Sequence, residues 1–135
     1  MSDAFLNFGF PAFVSHFITA LAFLFIFIAI YIRITPYKEI TLIREGNTAA
    51  AASLSGAVVG YAIALSSSVA HSIDLYDMLI WSAIGLGVQL LAYFITRLML
   101  PDLVKDVPEN RLASGLFLGA LSISMGLLNA ACQTY

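Results

Sequence analysis

Four uncharged stretches constrain this chain more than any other feature of its sequence. They run over Ala12–Ile32, Thr48–Ala70, Met78–Thr96 and Leu112–Cys132. Each has the length of about 20 residues that a helix needs to cross ~30 Å of hydrocarbon. None shows the period of two that barrel strands require. Because helices satisfy every backbone polar group in lipid, the sequence predicts an all-α integral membrane protein with four transmembrane helices.

Composition supports the same class of protein and argues against others. Hydrophobic residues make up 61% of the chain and charged residues 10%, whereas soluble domains are about 25% charged. Six Lys and Arg residues in two short segments form no tract that could neutralise a run of phosphates, so we expect no nucleic-acid partner. The first eleven residues contain no Lys or Arg, so we expect a retained span and not a signal peptide.

The two halves of the chain, 1–70 and 71–135, resemble each other. In each half an Asn precedes a Gly by nine residues, and an Arg and a Pro lie upstream. The matched positions are Asn47 and Asn110, Gly56 and Gly119, Arg33 and Arg97, and Pro36 and Pro101. Because each half contains two spans, both halves enter the membrane from the same side. The sequence therefore predicts two parallel two-helix repeats.

The distribution of charge predicts the orientation. All six basic residues lie in or beside the first and third connections: Arg33, Lys38, Arg44, Arg97, Lys105 and Arg111. The second connection carries His71, Asp74 and Asp77, and the N-terminal tail carries Asp3. The positive-inside rule places the basic loops in the cytoplasm and both termini in the periplasm. We expect a cytoplasmic protein partner to bind loops 33–47 and 97–111.

The first basic loop has the pattern of a short interfacial helix. Thr35 can cap a helix that begins at Pro36. Gly46 is expected to end that helix, and Asn47 to open the second span. The second loop repeats this plan weakly, and Asn110 is expected to open the fourth span.

Small residues form a stripe on the second span and another on the fourth. The helix-packing candidates are Ala52, Gly56, Gly60 and Ala64 on one span, and Gly115, Gly119 and Gly126 on the other. Such stripes let helices approach closely. They fit a subunit or repeat interface, the wall of a narrow pore, or internal packing within one monomer. The first span is bulky, with five Phe residues, and is expected to face lipid.

Few polar side chains lie within the spans. Gln89 lies near the middle of the third span, where it forms a helix-to-helix hydrogen bond or lines a permeation path. Ser66, Ser67, Ser68 and His71 gather near the end of the second span, and Asn129 near the end of the fourth. These residues form either a polar ligand site or ordinary helix caps. The sequence shows no nucleophile–base pair, metal-ligand set or phosphate loop, so we expect no enzyme activity, cofactor or metal.

Three segments resemble a known family. They are Ile34-Thr35-Pro36-Tyr37-Lys38-Glu39, then Leu42 to Ala50, and the C-terminal segment Gly126 to Tyr135. All three are similar to motifs of the YjfL family of bacterial membrane proteins. The resemblance implies an inner-membrane protein built from two repeats of two helices. It also implies a link to envelope stress, which some relatives have. The activity of the family is not established, so the resemblance implies topology and not mechanism.

Two functional hypotheses follow. The first is a non-enzymatic inner-membrane assembly subunit that forms homo-oligomers in the lipid bilayer and binds a partner through its basic loops. The second is a small oligomeric channel or carrier. A water-filled path lined by Gln89 and the serines would favour the channel, whereas a dry interface of small residues would favour the assembly subunit.

Overall fold

The computed structural model describes residues 4–133, which form four long helices and two short ones. Asp3 and the last two residues of the C-terminal motif lie outside the described residues. A π-helical turn, Phe5–Gly9, leads into the first long helix. In chain order the helices are α1 Phe10–Ile34, α2 Glu39–Arg44, α3 Thr48–His71, α4 Leu75–Met99, α5 Leu103–Asp106 and α6 Leu112–Cys132.

Helices α1, α3, α4 and α6 are each long and apolar enough to cross a membrane. This confirms the predicted fold class of an all-α protein with four transmembrane helices. The predicted bounds of α6 match the structure, but α4 extends three residues beyond its uncharged stretch at each end. It starts early because Asp74 caps it by accepting a hydrogen bond from the Asp77 amide at 2.8 Å. A charge therefore marked the end of the uncharged stretch but not the end of the helix.

The short helices α2 and α5 lie at the same end of the bundle, which we call the basic end because both loops with Lys and Arg residues are there. The prediction that α2 begins at Pro36 after a Thr35 cap is wrong. Helix α2 begins at Glu39, and the Thr35 hydroxyl donates to Glu39 Oε1 at 2.6 Å, whereas a helix cap would accept a hydrogen bond from a backbone N–H. Gly46 follows α2 with a φ of 86°, which suits glycine.

Asn47 and Asn110 tie the starts of α3 and α6 together at the basic end. Asn47 caps α3, as predicted, and its side-chain amide also donates to the Val107 carbonyl at 2.9 Å. The prediction that Asn110 opens α6 is wrong. Asn110 has a φ of 59°, and its side-chain oxygen accepts from the Ala49 amide of α3 at 3.0 Å. Each Asn therefore bonds across to the other half of the chain.

Helix α3 lies at the centre of the bundle, where it contacts α6, α4, α1 and α2. Helix α1 packs on it mainly near the basic end, through the fully buried rings of Phe27 and Tyr31. Towards the other end α1 presents Phe13 and Phe17 outward, with 61% and 54% of each residue exposed. The expectation that the first span faces lipid agrees with the structure except at Phe27 and Tyr31.

Candidate functional site

The small residues of α3 and α6 face each other inside a single chain. A Cβ atom at Gly56 would overlap the backbone of Gly119, and one at Gly60 would overlap the carbonyl group of Ser122. From the other side, a Cβ at Gly126 would overlap the backbone of Gly60. The two helices therefore touch through their main chains, which only glycine permits at these positions.

The remaining packing candidates extend this contact or turn away from it. Gly115 lies against the backbone of Ala49, and a Cβ at Gly119 would lie 2.6 Å from the Ala52 carbonyl oxygen. Ala64 is buried but faces α4, where its methyl group would lie 3.4 Å from a Cβ at Gly85. Six of the seven small residues in the two stripes therefore lie between α3 and α6, and the seventh, Ala64, faces α4.

Gln89 links the third span to this contact. It is fully buried, and its Nε2 donates to the Ser122 carbonyl of α6 at 3.1 Å. The same nitrogen lies 3.0 Å from the position of a Cβ at Gly60, so the absent side chain of that glycine makes room for the amide. Its Oε1 and the Ser82 and Ser122 hydroxyls have no hydrogen-bond partner within residues 4–133.

At the end opposite the basic end, part of the predicted polar cluster comes together. The Ser67 hydroxyl donates to the Ala130 carbonyl at 3.1 Å and lies 3.2 Å from His71 Nδ1. Ser68 and Gln133 exchange side-chain hydrogen bonds at 3.1 and 3.3 Å. These contacts join the ends of α3 and α6 and leave the Ser67 proton directed at a carbonyl.

The other members of that predicted cluster lie apart from it. Ser66 is exposed on α3. Asn129 faces α4 instead, with its Nδ2 atom 3.2 Å from the position of a Cβ at Gly85. Across residues 4–133, no three His, Cys, Asp or Glu side chains are grouped so that they could hold a metal ion.

A polar cluster that the sequence did not predict lies at the basic end. Glu39, which falls in the predicted interfacial helix of the first basic loop, is 1% exposed, and three tyrosines near it, Tyr31, Tyr37 and Tyr93, are also buried. We call these four residues the Glu39–tyrosine cluster. The rings of Tyr31 and Tyr93 lie edge to face with centroids 5.7 Å apart. Each member lies within electrostatic range of the other three.

Burial determines the electrostatics of this cluster. It raises the pKa of Glu39 from 4.5 to about 7, although the hydrogen bond from Thr35 acts in the opposite direction. Burial also raises the pKa of Tyr37, and the charge of Glu39 raises it further. Among the described residues no Lys or Arg forms an ion pair with Glu39. Thr35 and Glu39 lie four residues apart, on either side of a Pro. This spacing was the one sequence signal that could have indicated that the chain turns back and buries Glu39.

The fold and these contacts define a class, a polytopic helical membrane protein with a glycine-mediated core. The sequence profile described as Domain of Unknown Function (DUF350) matches residues 5–133. The UPF0719 inner membrane protein YjfL of Escherichia coli K12 is 38% identical over 124 residues, which cover 92% of this chain and 94% of YjfL. The UPF0719 transmembrane protein YshE of Bacillus subtilis 168 is 24% identical over 119 residues, 87% and 89% of the two chains.

The chain therefore belongs to the DUF350 family and is a YjfL-family membrane protein, as its motifs predicted. Its relatives and its four apolar helices show a multi-pass protein of the inner membrane. No solved structure gave a significant match to the chain.

Proposed function

We propose that the protein is a non-enzymatic assembly subunit of the inner membrane that associates with copies of itself. The observation that carries the proposal is a shallow groove of about 290 Å³ on the lipid-facing side of the α3–α6 contact. Its floor consists of small residues, and its rims consist of larger ones that project from the same two helices. The groove is lined by Ala52, Ser55, Gly56, Val59, Leu116, Gly119, Ala120 and Ile123.

The groove suits a second copy of the same chain. Val59 and Leu116 on its rims are 46% and 59% exposed, so they can enter the groove of a partner while the partner's rims enter this one. Copies inserted with the same orientation are related by an axis along the membrane normal, and a two-fold axis makes such a surface self-complementary. Apolar helices gain little by leaving lipid, so association depends on this kind of shape match.

Cysteine cross-linking tests the self-association. In a Cys132→Ser background, Val59→Cys should form disulfide-linked dimers in native membranes. Phe25→Cys is the matched control, because Phe25 is 61% exposed on α1, away from the groove. Filling the groove with Ala120→Trp should abolish the Val59 cross-link while the protein stays folded, because Ala120 is exposed and not part of the α3–α6 backbone contact. Equal cross-linking at both cysteines would contradict the proposal.

We also propose that a cytoplasmic partner binds loops 33–47 and 97–111 at the basic end. All six Lys and Arg side chains are exposed at this one end. The orientation itself is tested with single cysteines in a Cys132-free background. Lys38→Cys and Lys105→Cys should be protected from an impermeant thiol reagent in intact cells, whereas Asp77→Cys should react. The reverse labelling would show that the basic end is periplasmic and that both termini are cytoplasmic, which would contradict the predicted orientation.

The alternative, a small oligomeric channel or carrier, has one observation in its favour. Polar atoms of Gln89, Ser82 and Ser122 lie in the bundle interior without a hydrogen-bond partner among the described residues. However, α3 and α6 touch through their backbones where Gln89 and Ser122 lie, so a path there would require the helices to separate. Ion flux in vesicles that changes on Gln89→Leu, with cross-linking unchanged, would favour the channel. The link to envelope stress stays a prediction from the family resemblance.

A further inference from the structure

The Glu39–tyrosine cluster buries four oxygen-bearing side chains at the basic end. Glu39 Oε2 and the Tyr31 and Tyr37 hydroxyls have no hydrogen-bond partner among the described residues, whereas the Arg97 side chain lies beside the Tyr93 hydroxyl. A buried polar group without a partner costs free energy. Three such groups, from α1, the following turn and α2, therefore indicate a site that takes up an additional small species.

We propose that the Glu39–tyrosine cluster is a proton-binding site that controls the docking of helix α2 on the bundle. The proton needs no cavity, which fits the near-complete burial of all four side chains. When bound, it neutralises the Glu39 carboxyl, which costs less to bury than the charged form. When it is released, the hydrogen bond from the Thr35 hydroxyl is the one side-chain bond that the described residues give the buried carboxylate.

The groups that face Glu39 come from each element around it. Tyr31 lies on α1, Thr35 and Tyr37 in the turn, and Tyr93 on α4, with Arg97 beside the Tyr93 hydroxyl. Lys38 precedes Glu39 but is exposed. The central helix α3 contributes no charge here: Tyr61 donates to the Ser82 carbonyl, and His71 lies at the opposite end. The site is therefore a carboxyl surrounded by phenols, with one cation at its edge.

Proton release weakens the attachment of α2, because Glu39 is the one fully buried residue of this helix, beside Leu42 and Ile43, which are half-buried against the core. In the docked state its pKa is about 7, and an undocked, solvated Glu39 would have a pKa near the ordinary 4.5. The docked state thus holds the proton more tightly, so docking is strongest below about pH 4.5 and weakens until about pH 7. The docking equilibrium should fall roughly 300-fold across this window, because the pKa of Glu39 differs by about 2.5 between the two states.

Infrared difference spectroscopy of the full chain in lipid nanodiscs tests proton binding directly. A band from a protonated carboxyl should disappear with a midpoint near pH 7. It should be missing in Glu39→Gln and unchanged in Glu45→Gln, because Glu45 lies six residues further along the same loop but is exposed. Persistence of the band in Glu39→Gln would overturn the assignment.

A Thr35→Val variant separates a role in proton binding from a role in packing. It keeps the shape of the side chain but removes the hydroxyl that donates to Glu39 Oε1, so the midpoint of the band should rise. A packing role alone would lower thermal stability and leave the midpoint in place, which would contradict the proposal. The titration is repeated in sodium, potassium and choline chloride at equal ionic strength. A midpoint that falls only with a metal cation would show a cation site instead.

Hydrogen exchange of the amides of residues 42–44, which are hydrogen-bonded in α2, tests the coupling to this helix. After correction for the intrinsic rate, these amides should exchange about 10- to 100-fold faster at about pH 8 than at about pH 5. In Glu39→Gln, which resembles the neutral acid in shape, they should stay protected at both values. Identical pH dependence in this variant and the unchanged protein would end the proposal. None of these readouts depends on whether the protein forms oligomers.

Discussion

Helices α1 and α3 both span the membrane, and the helix with the higher mean hydropathy is the less buried of the two. The span that includes α1 is the more hydrophobic of the two, yet 11% of its most apolar window is buried, against 56% for α3. In water the more apolar helix would be the more buried. In lipid the solvent is as apolar as the side chains, so close packing decides which helix occupies the centre. The small residues of α3 give it that position.

The sharpest test of this difference is to enlarge a glycine in the α3–α6 contact. Gly60→Ile places a β-branched side chain against the Ser122 backbone, so the helices must separate. We expect a loss of at least about 3 kcal/mol or a failure to fold. The measurement is thermal unfolding in detergent, followed by size-exclusion chromatography.

Two controls accompany that variant. Gly87→Ile is the same substitution at a helical glycine on α4 where a Cβ would meet none of the described atoms within 4 Å. Val59→Ile adds one methyl group to an exposed residue of α3. Both should change stability by less than about 1 kcal/mol. If Gly60→Ile behaved like Gly87→Ile, close contact between α3 and α6 would not be what stabilises the bundle.

Helix α1 provides the second test, because two of its Phe residues differ in burial. Phe27 is fully buried with its ring 4.6 Å from that of Tyr61, whereas Phe25 is 61% exposed. Phe27→Ala removes dispersion contacts and leaves a cavity, and should cost about 3 kcal/mol. Phe25→Ala should cost little, because lipid replaces the lost contacts. Equal losses in a thermal unfolding assay would show that α1 is packed against something on its outer side.

Two features of Asn110 contribute to the link between the starts of α3 and α6: its side-chain hydrogen bond and its positive φ. Asn110→Gly keeps the positive φ but removes the side chain that accepts from the Ala49 amide, which should cost about 1 kcal/mol. Asn110→Ala also strains the backbone and should cost about 1 kcal/mol more. Chemical denaturation of the two variants measures both values. Asn110→Ala matching Asn110→Gly would show that the backbone relaxes at this position.

The smallest effect is expected at Gln89. Gln89→Leu removes a hydrogen bond to the Ser122 carbonyl, but it also removes a buried Oε1 that has no partner in the described part of the chain. The two changes oppose each other, so we expect a stability change of about 1 kcal/mol or less. A loss near that of Phe27→Ala would mean that Gln89 organises the α3–α4–α6 junction by itself.

Much of the fold could be predicted from the sequence because the bilayer limits the alternatives. The four spans followed from uncharged length, since lipid leaves the backbone no option but a helix. Helix α6 was predicted residue for residue, and Asn47 was predicted to cap α3. The duplication and the orientation of the termini stay predictions, supported by the matched Asn–Gly spacing and by the exposed cations at one end.

The sequence determined which segments enter the membrane, but the tertiary structure decided which residues meet. The small-residue stripes predicted close contacts without identifying their partners, because a stripe fits any helix that can approach it. The sequence placed Glu39 in a short interfacial helix outside the spans, where a charged residue is ordinarily solvated. The fold of the Thr35–Lys38 turn brought it under the bundle instead, beside tyrosines that are 8 and 54 residues away in the chain. A buried carboxyl of this kind depends on long-range packing, which no local pattern encodes.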